Sequence, residues 1–285
     1  MSSPVSPSAV VAVDSRVVKV GSSGADFASI NDAIRASVDG DTVVVKLGQY
    51  DEVVILDKSV SVVAEANIEL GDVVIAGGAV CTASRGSLER LTIKQLVDIR
   101  SGGVHIVECD ISMGADCVRV GSEAHPVIKK CFIHHAQSSG DGIYFAQGSR
   151  GNVEDCDIAS NRVNGVHVNG ADVVVRGSRF RESPYGVFVR NGGKGSIEDN
   201  RVEGASCFGI YVQSHSTPLV ARNAIGNCGI HGIMVSKEGQ GMFKENAVHG
   251  SVRILRGCAP TLGTNSFQGR VDDENSRPLV PAPPA

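Results

Sequence analysis

The 285-residue chain has no tryptophan, and its only other aromatic side chains are 4 Tyr and 8 Phe. Rings make up 4% of the sequence and apolar residues an ordinary 42%, so a core has to be assembled from Val, Ile, Leu, Ala and Cys. The 42 valines and 34 glycines favour many short strands joined by tight turns and weigh against a helical bundle. No apolar run reaches the ~18 residues of a membrane-spanning helix. The opening Met1-Ser2-Ser3-Pro4-Val5 shows no basic segment followed by an apolar one, so no secretory leader is visible. A net charge of −4 with both signs dispersed gives no electrostatic footprint for nucleic acid. The eight cysteines contain no C-x-x-C pair and read as reduced thiols in a cytoplasmic protein. Neither a membrane nor nucleic acid is expected as a partner, and no metal or other cofactor.

What is present is a repeat. An apolar residue, two variable residues, Cys, Ser or Asn, one variable residue and a second apolar residue recur from Ile106-x-x-Cys109-x-Ile111 onward. The central position then reads Cys131, Cys156, Ser178, Asn200, Asn223, Asn246 and Asn265, with Leu88-x-x-Leu91-x-Ile93 as a degenerate earlier copy. A second pattern, Gly-apolar-x-apolar, falls between these anchors at Gly142, Gly165, Gly186, Gly209 and Gly232, with Cys117 in the glycine position of an earlier copy. Two patterns keeping one period of about 22–23 residues mark a solenoid whose coils are too short for a crossover helix. The expected fold is all-β: a right-handed parallel β-helix of ten or eleven coils, about 50 Å long at the inter-strand spacing. Residues 1–14 are expected to be disordered, 15–270 to form the β-helix, and 271–285 to be a Pro-rich disordered tail. A helix over 26–38, with Asp26 as its N-cap, is expected to cover the first coil. The Cys-to-Asn column is expected to stack inside the turns as a hydrogen-bonded ladder.

The stretch Phe27-Ala28-Ser29-Ile30-Asn31-Asp32-Ala33-Ile34, followed by Gly40-Asp41-Thr42-Val43-Val44-Val45 and Gly48-Gln49-Tyr50-Asp51-Glu52, resembles the opening of pectin-lyase-like β-helix proteins. Together with the repeats it is most similar to the non-catalytic branch: the substrate-recognition β-helix of F-box adaptors, the Shc-binding β-helix proteins and the NosD-type proteins. The resemblance spans residues 20–270 and implies the fold; activity has to be argued from a site.

Strand alternation turns the variable residue of Gly-apolar-x-apolar outward. That column reads Arg119, Tyr144, His167, Phe188, Tyr211 and Met234. The residue before the pattern gives a neighbouring column of Asp116, Asp141, Asn164, Tyr185, Phe208 and His231. Outward rings on consecutive coils suggest a binding face for a protein partner, or alternatively for an extended carbohydrate. The residues expected to carry it are Arg119, Tyr144, His167, Tyr185, Phe188, Phe208, Tyr211, His231 and Met234. Ring stacking that serves only the solenoid is the competing explanation. An enzymatic alternative rests on Asp116, Asp141 and His167, whose carboxylates would stand one coil apart. Against it, the signatures of polygalacturonase-like enzymes are missing: the lone Asp-Asp is Asp272-Asp273, and the nearest approach to Gly-His-Gly is Ile230-His231-Gly232. The pair His134-His135 is expected to lie on a solvated turn and to make a poor metal site, since adjacent strand residues face opposite ways. The chain is therefore expected to be a non-enzymatic recognition or scaffold module.

Overall fold

The computed structural model describes residues 15–276, so the disorder expected for 1–14 and 277–285 lies outside the described residues. The chain repeats one cycle through three parallel sheets. Sheet A has twelve strands, from Val17–Val20 to Thr261–Leu262; sheet B has eleven, from Gly48–Tyr50 to Ser266–Phe267; sheet C has eleven, from Val54–Leu56 to Val271–Asp273. Every strand pairs with its equivalent one coil away, which makes a right-handed β-solenoid of about 12 turns, longer than the ten or eleven expected. Val17–Val20 adds a rung ahead of the helix, in register with Thr42–Val45. At the far end Val271–Asp273 pairs with Val252–Ile254, so the solenoid runs past residue 270 into what was expected to be tail.

Strands of two to seven residues build the core, many with alternating burial such as Thr42–Val45 and Val73–Ile75. Their inward side chains form one continuous cluster of Val, Ile, Leu, Ala, Cys and three fully buried Phe: Phe145, Phe180 and Phe243. Each coil is only a few side chains across, so β-branched residues fill it and large rings are needed seldom. The first coil is covered by helix α1, Ile30–Ala36, which turns Ile30, Ala33 and Ile34 inward. Ser29, not Asp26, is its N-cap: the Ser29 side chain accepts from the Asp32 backbone N–H, while Asp26 is held in the preceding turn by the Lys19 N–H. Glu52 supplies the remaining acceptors, taking the Ile30 and Asn31 N–H groups at 2.7 and 3.0 Å and the Ser29 hydroxyl at 2.9 Å.

The turn from sheet A to sheet B carries the ladder. The residue before each ladder position from Cys109 to Asn246 takes a left-handed conformation, as at Glu108, Lys130, Asp155, Asp199, Arg222 and Glu245 with φ between 52 and 57°. That bend removes backbone groups from the sheets and buries them, so side chains must satisfy them. Asn223 Oδ1 accepts from both the backbone N and Nδ2 of Asn200 at 3.0 Å, and its Nδ2 donates to Ile197 O and to Asn246 Oδ1. Asn200, Asn246 and Asn265 repeat the arrangement. Earlier in the solenoid the thiols of Cys109, Cys131 and Cys156 donate to the equivalent carbonyls at 3.4–3.5 Å. Ser178 joins the two halves by accepting from Cys156 N.

The repeat glycines serve a purpose other than turning. Gly142, Gly165, Gly186, Gly209 and Gly232 lie where coils approach closely. A Cβ on Gly165 would stand 2.6 Å from Gly186 O and 2.7 Å from a ring carbon of Phe180. Glycine is required there for space, not for a left-handed backbone.

Asn223→Ala leaves the buried N–H of Asn200 and the carbonyl of Ile197 without their ladder partner. At about 1–3 kcal/mol for each orphaned group, it is expected to lower stability by about 3 kcal/mol. Cys131→Ala removes only a weak donor and is expected to cost less than half as much. Denaturant midpoints of the two variants and the parent check the order.

Candidate functional site

The outward face of sheet C brings the expected columns together in register. Arg119, Tyr144, His167, Phe188, Tyr211 and Met234 are successive partners on neighbouring strands. Asn164, Tyr185, Phe208 and His231 form the adjacent column. Asp141 and Asp116 continue it through hydrogen bonds, Asn164 N to Asp141 Oδ1 at 3.2 Å and Asp141 N to Asp116 Oδ1 at 3.0 Å.

The rings use one another as cover. His167 and Phe188 stack at 5.0 Å between centroids, and Phe188 and Tyr211 at 4.9 Å with 17° between planes. Tyr185 stacks on Tyr211, and Phe208 on His231. Tyr144 meets His167 edge-on. As a result His167, Phe188 and Met234 are only 8–9% exposed, although they point outward. Tyr144, Tyr185, Phe208, Tyr211 and His231 are half-buried, and Arg119 is exposed. The contiguous open apolar patch expected from the sequence is therefore a closed stack that shows its rims. The cause is the strand spacing of about 4.8 Å, close enough to ring-stacking distance that neighbouring rings fall face to face.

The acidic end is a hydrogen-bonded knot. Asp141 Oδ2 lies 2.7 Å from His167 Nδ1, and Asp141 Oδ1 accepts Asn164 Nδ2 at 2.6 Å. Asp116 takes the Arg119 guanidinium at 2.8 and 3.1 Å. The two carboxylates thus have separate counter-partners. His167 Nε2 and Asn164 Oδ1 are buried without a hydrogen-bond partner.

A third outward column escaped the sequence reading: Asn169, Arg190, Gln213 and Ser236. Asn169 donates to the Tyr144 hydroxyl at 2.8 Å, Tyr211 Oη lies 3.1 Å from Gln213 Oε1 and 2.9 Å from Ser236 Oγ, and Arg190 stands 5.8 Å from the Phe188 ring centre. Its signal was available, since the residue after Gly-apolar-x-apolar also faces outward. His134-His135 differs from expectation for a different reason. His135 is left-handed at φ 55°, which folds its ring back so that the two Nδ1 atoms stand 2.5 Å apart, while His134 Nε2 lies 3.0 Å from Asp110 Oδ1. Among the described residues no group of three or more metal-ligating side chains converges. The eight cysteines are free, six of them buried, and burial pushes the Cys81 and Cys117 thiols up to about 12.

Phe188→Ala opens a cavity in the middle of the stack and is expected to cost about 3 kcal/mol, measured as a denaturant midpoint shift. His231 gives a pH signature. Burial, then the nearby Arg253 charge, hold its imidazole below the ordinary value of 6.5. A depressed histidine takes its proton more readily in the unfolded chain, so its contribution to stability is whole above about 6.5 and is lost as pH falls from there toward the folded value. The His231 ring resonance is expected to titrate below 6.5, and Arg253→Gln to move that midpoint upward.

No helix among the described residues is long and apolar enough to cross a membrane. The chain is similar in structure to PfbA, a surface adhesin of Streptococcus pneumoniae, with a TM-score of 0.54 and 11% identity over 89% of this chain and 91% of that one. It is likewise similar to pectate lyase Pel9A, with a TM-score of 0.51 and 13% identity over 94% of this chain and 80% of that one. Such identities carry the fold alone. No curated protein matches the chain. The family model for the right handed beta helix region matches residues 116–269, and the chain belongs to that family.

Proposed function

We propose that the outward face of sheet C is a non-enzymatic recognition surface that binds a protein partner across successive coils. The observation that carries this reading is the orientation of the rings. A platform for sugars needs open ring faces, whereas here the faces of His167, Phe188 and Tyr211 are taken up by one another. What remains on offer is a row of ring rims, the hydroxyls of Tyr144 and Tyr211, and the polar fringe of Asn169 and Arg190. Aromatic rims with polar handles on a rigid frame suit the mixed chemistry of a protein surface. A cytoplasmic location belongs to the same reading, supported by eight unpaired and mostly buried thiols.

A second reading, carbohydrate cleavage, has one observation in its favour. Asp141 Oδ2 stands 2.7 Å from His167 Nδ1, which leaves Nε2 as the ring nitrogen without a partner, the atom a base would use. That atom is buried, which keeps substrate from it and places this reading second.

The half-buried rings are the ones to test. With the parent and a Tyr185→Ser/Phe208→Ser variant as baits in the native source, a partner held by the parent and lost by the variant is expected, with unchanged β-rich circular dichroism for both. A ring-dependent glycan-array signal, or polysaccharide cleavage that disappears in Asp141→Asn, would move the assignment to carbohydrate.

A further inference from the structure

Sheet A carries, on its outer side over the early coils, a cavity of about 530 Å³ far from the rings in sequence. Small side chains line its early-coil end, with serines on two successive strands. Ser61 and Ser87 are register partners, followed by His105 and Val127 on the next strands. Ser59 and Ser84 meet at its rim, their hydroxyl oxygens 3.2 Å apart. In the later coils the same face is filled by ion pairs such as Lys129–Glu154 and Arg176–Asp199.

Three nitrogen-bearing side chains line this cavity: Arg85, His105 and His125. Arg85 is exposed and, among the described residues, has no carboxylate partner, unlike Arg100 with Asp98 or Arg119 with Asp116. His125 is seated by a glycine: a Cβ on Gly103 would lie 2.8 Å from its Nε2. The one carboxylate in the lining, Glu89, accepts the Ser87 hydroxyl at 2.6 Å.

We infer that this cavity binds a tetrahedral oxyanion, the phosphate or sulfate group of a small ester, with Arg85 as its charged anchor. A guanidinium grips two oxygens of such a group at once, and the imidazole N–H groups and the Ser61 hydroxyl supply shorter-range donors around it. The volume exceeds that of the bare ion, and Glu89 offers an acceptor to hydroxyls on the remainder of the ester. The inference concerns a different sheet from the recognition face and stands or falls without it.

The histidine ring protons report directly. In proton NMR at constant ionic strength, inorganic phosphate and sulfate are expected to shift the His105 and His125 resonances saturably, and chloride is not. Arg85→Ala is expected to weaken the phosphate response at least about tenfold while leaving the thermal transition in place, because its side chain is exposed. Gly103→Ala, which displaces His125, is expected to weaken it as well. A phosphate monoester and a sulfate monoester of the same sugar, titrated in parallel, identify which group is preferred. Shifts reproduced by chloride, a response that never saturates, or an affinity unchanged in Arg85→Ala would overturn the inference.

Discussion

From Arg90 to Glu245, each passage from sheet A to sheet B puts one residue into a left-handed backbone and leaves buried N–H and C=O groups outside the strand ladders. The chain repeats that bend on successive coils, so a single unsatisfied turn would be repeated as well. The interior column from Cys109 to Asn265 answers the problem by making every turn the partner of the next. An asparagine at this position accepts from the coil behind and donates both to a carbonyl of that coil and to the asparagine of the coil ahead, so its amide has both ends engaged. The thiols of Cys109, Cys131 and Cys156 fill the donor half of that role and leave the acceptor half weak. The ladder is therefore better satisfied in its asparagine half, and the ring stack of sheet C spans the change, from Tyr144 beside Cys131 to Tyr211 beside Asn200.

Close coil spacing has two further consequences. Inside, it requires glycine where Gly165 and Gly186 face the backbone of the next coil, and that requirement fixes the pattern from which the outward columns are counted. Outside, it sets rings at stacking distance. The same few ångströms that make the interior impassable to a Cβ make the exterior favourable for a stack of planar side chains.

These constraints explain what the sequence made legible. The ladder, the glycine column and the outward positions of Arg119 through Met234 all follow from a period, and a period is visible wherever the interior tolerates few residue types. The rung at Val17–Val20 was missed because a single four-residue strand has no repeat to belong to. The N-cap was misplaced because Ser29 and Asp26 are equally suited by type, and what decides between them is the distant Glu52 carboxylate. The fold of His135 toward His134 depends on one backbone angle, which strand alternation does not encode. On the outer face of sheet C the period gave the register of the ring column but not its exposure, since exposure depends on the angle between rings and not on the side of the strand.

That misjudgement changes where specificity has to reside. An outward residue on a solenoid is ordinarily free to vary, because alternation separates it from the core. In the ring-bearing coils this freedom is lost: Phe188 is held by His167 on one side and Tyr211 on the other, and its substitution disturbs both. The central column is thus committed to stability and can distinguish partners only by its rims. The columns on either side are committed as well where they are buried: Asp141 and Asn164 on one flank, and Gln213 and Ser236 on the other, spend their polar groups on neighbours within the chain. Asn169 and Arg190 keep partial exposure. On the proposed reading, discrimination between one protein surface and another rests on the ring rims and on these two side chains, with the ring stack as the spine that holds them at fixed spacing.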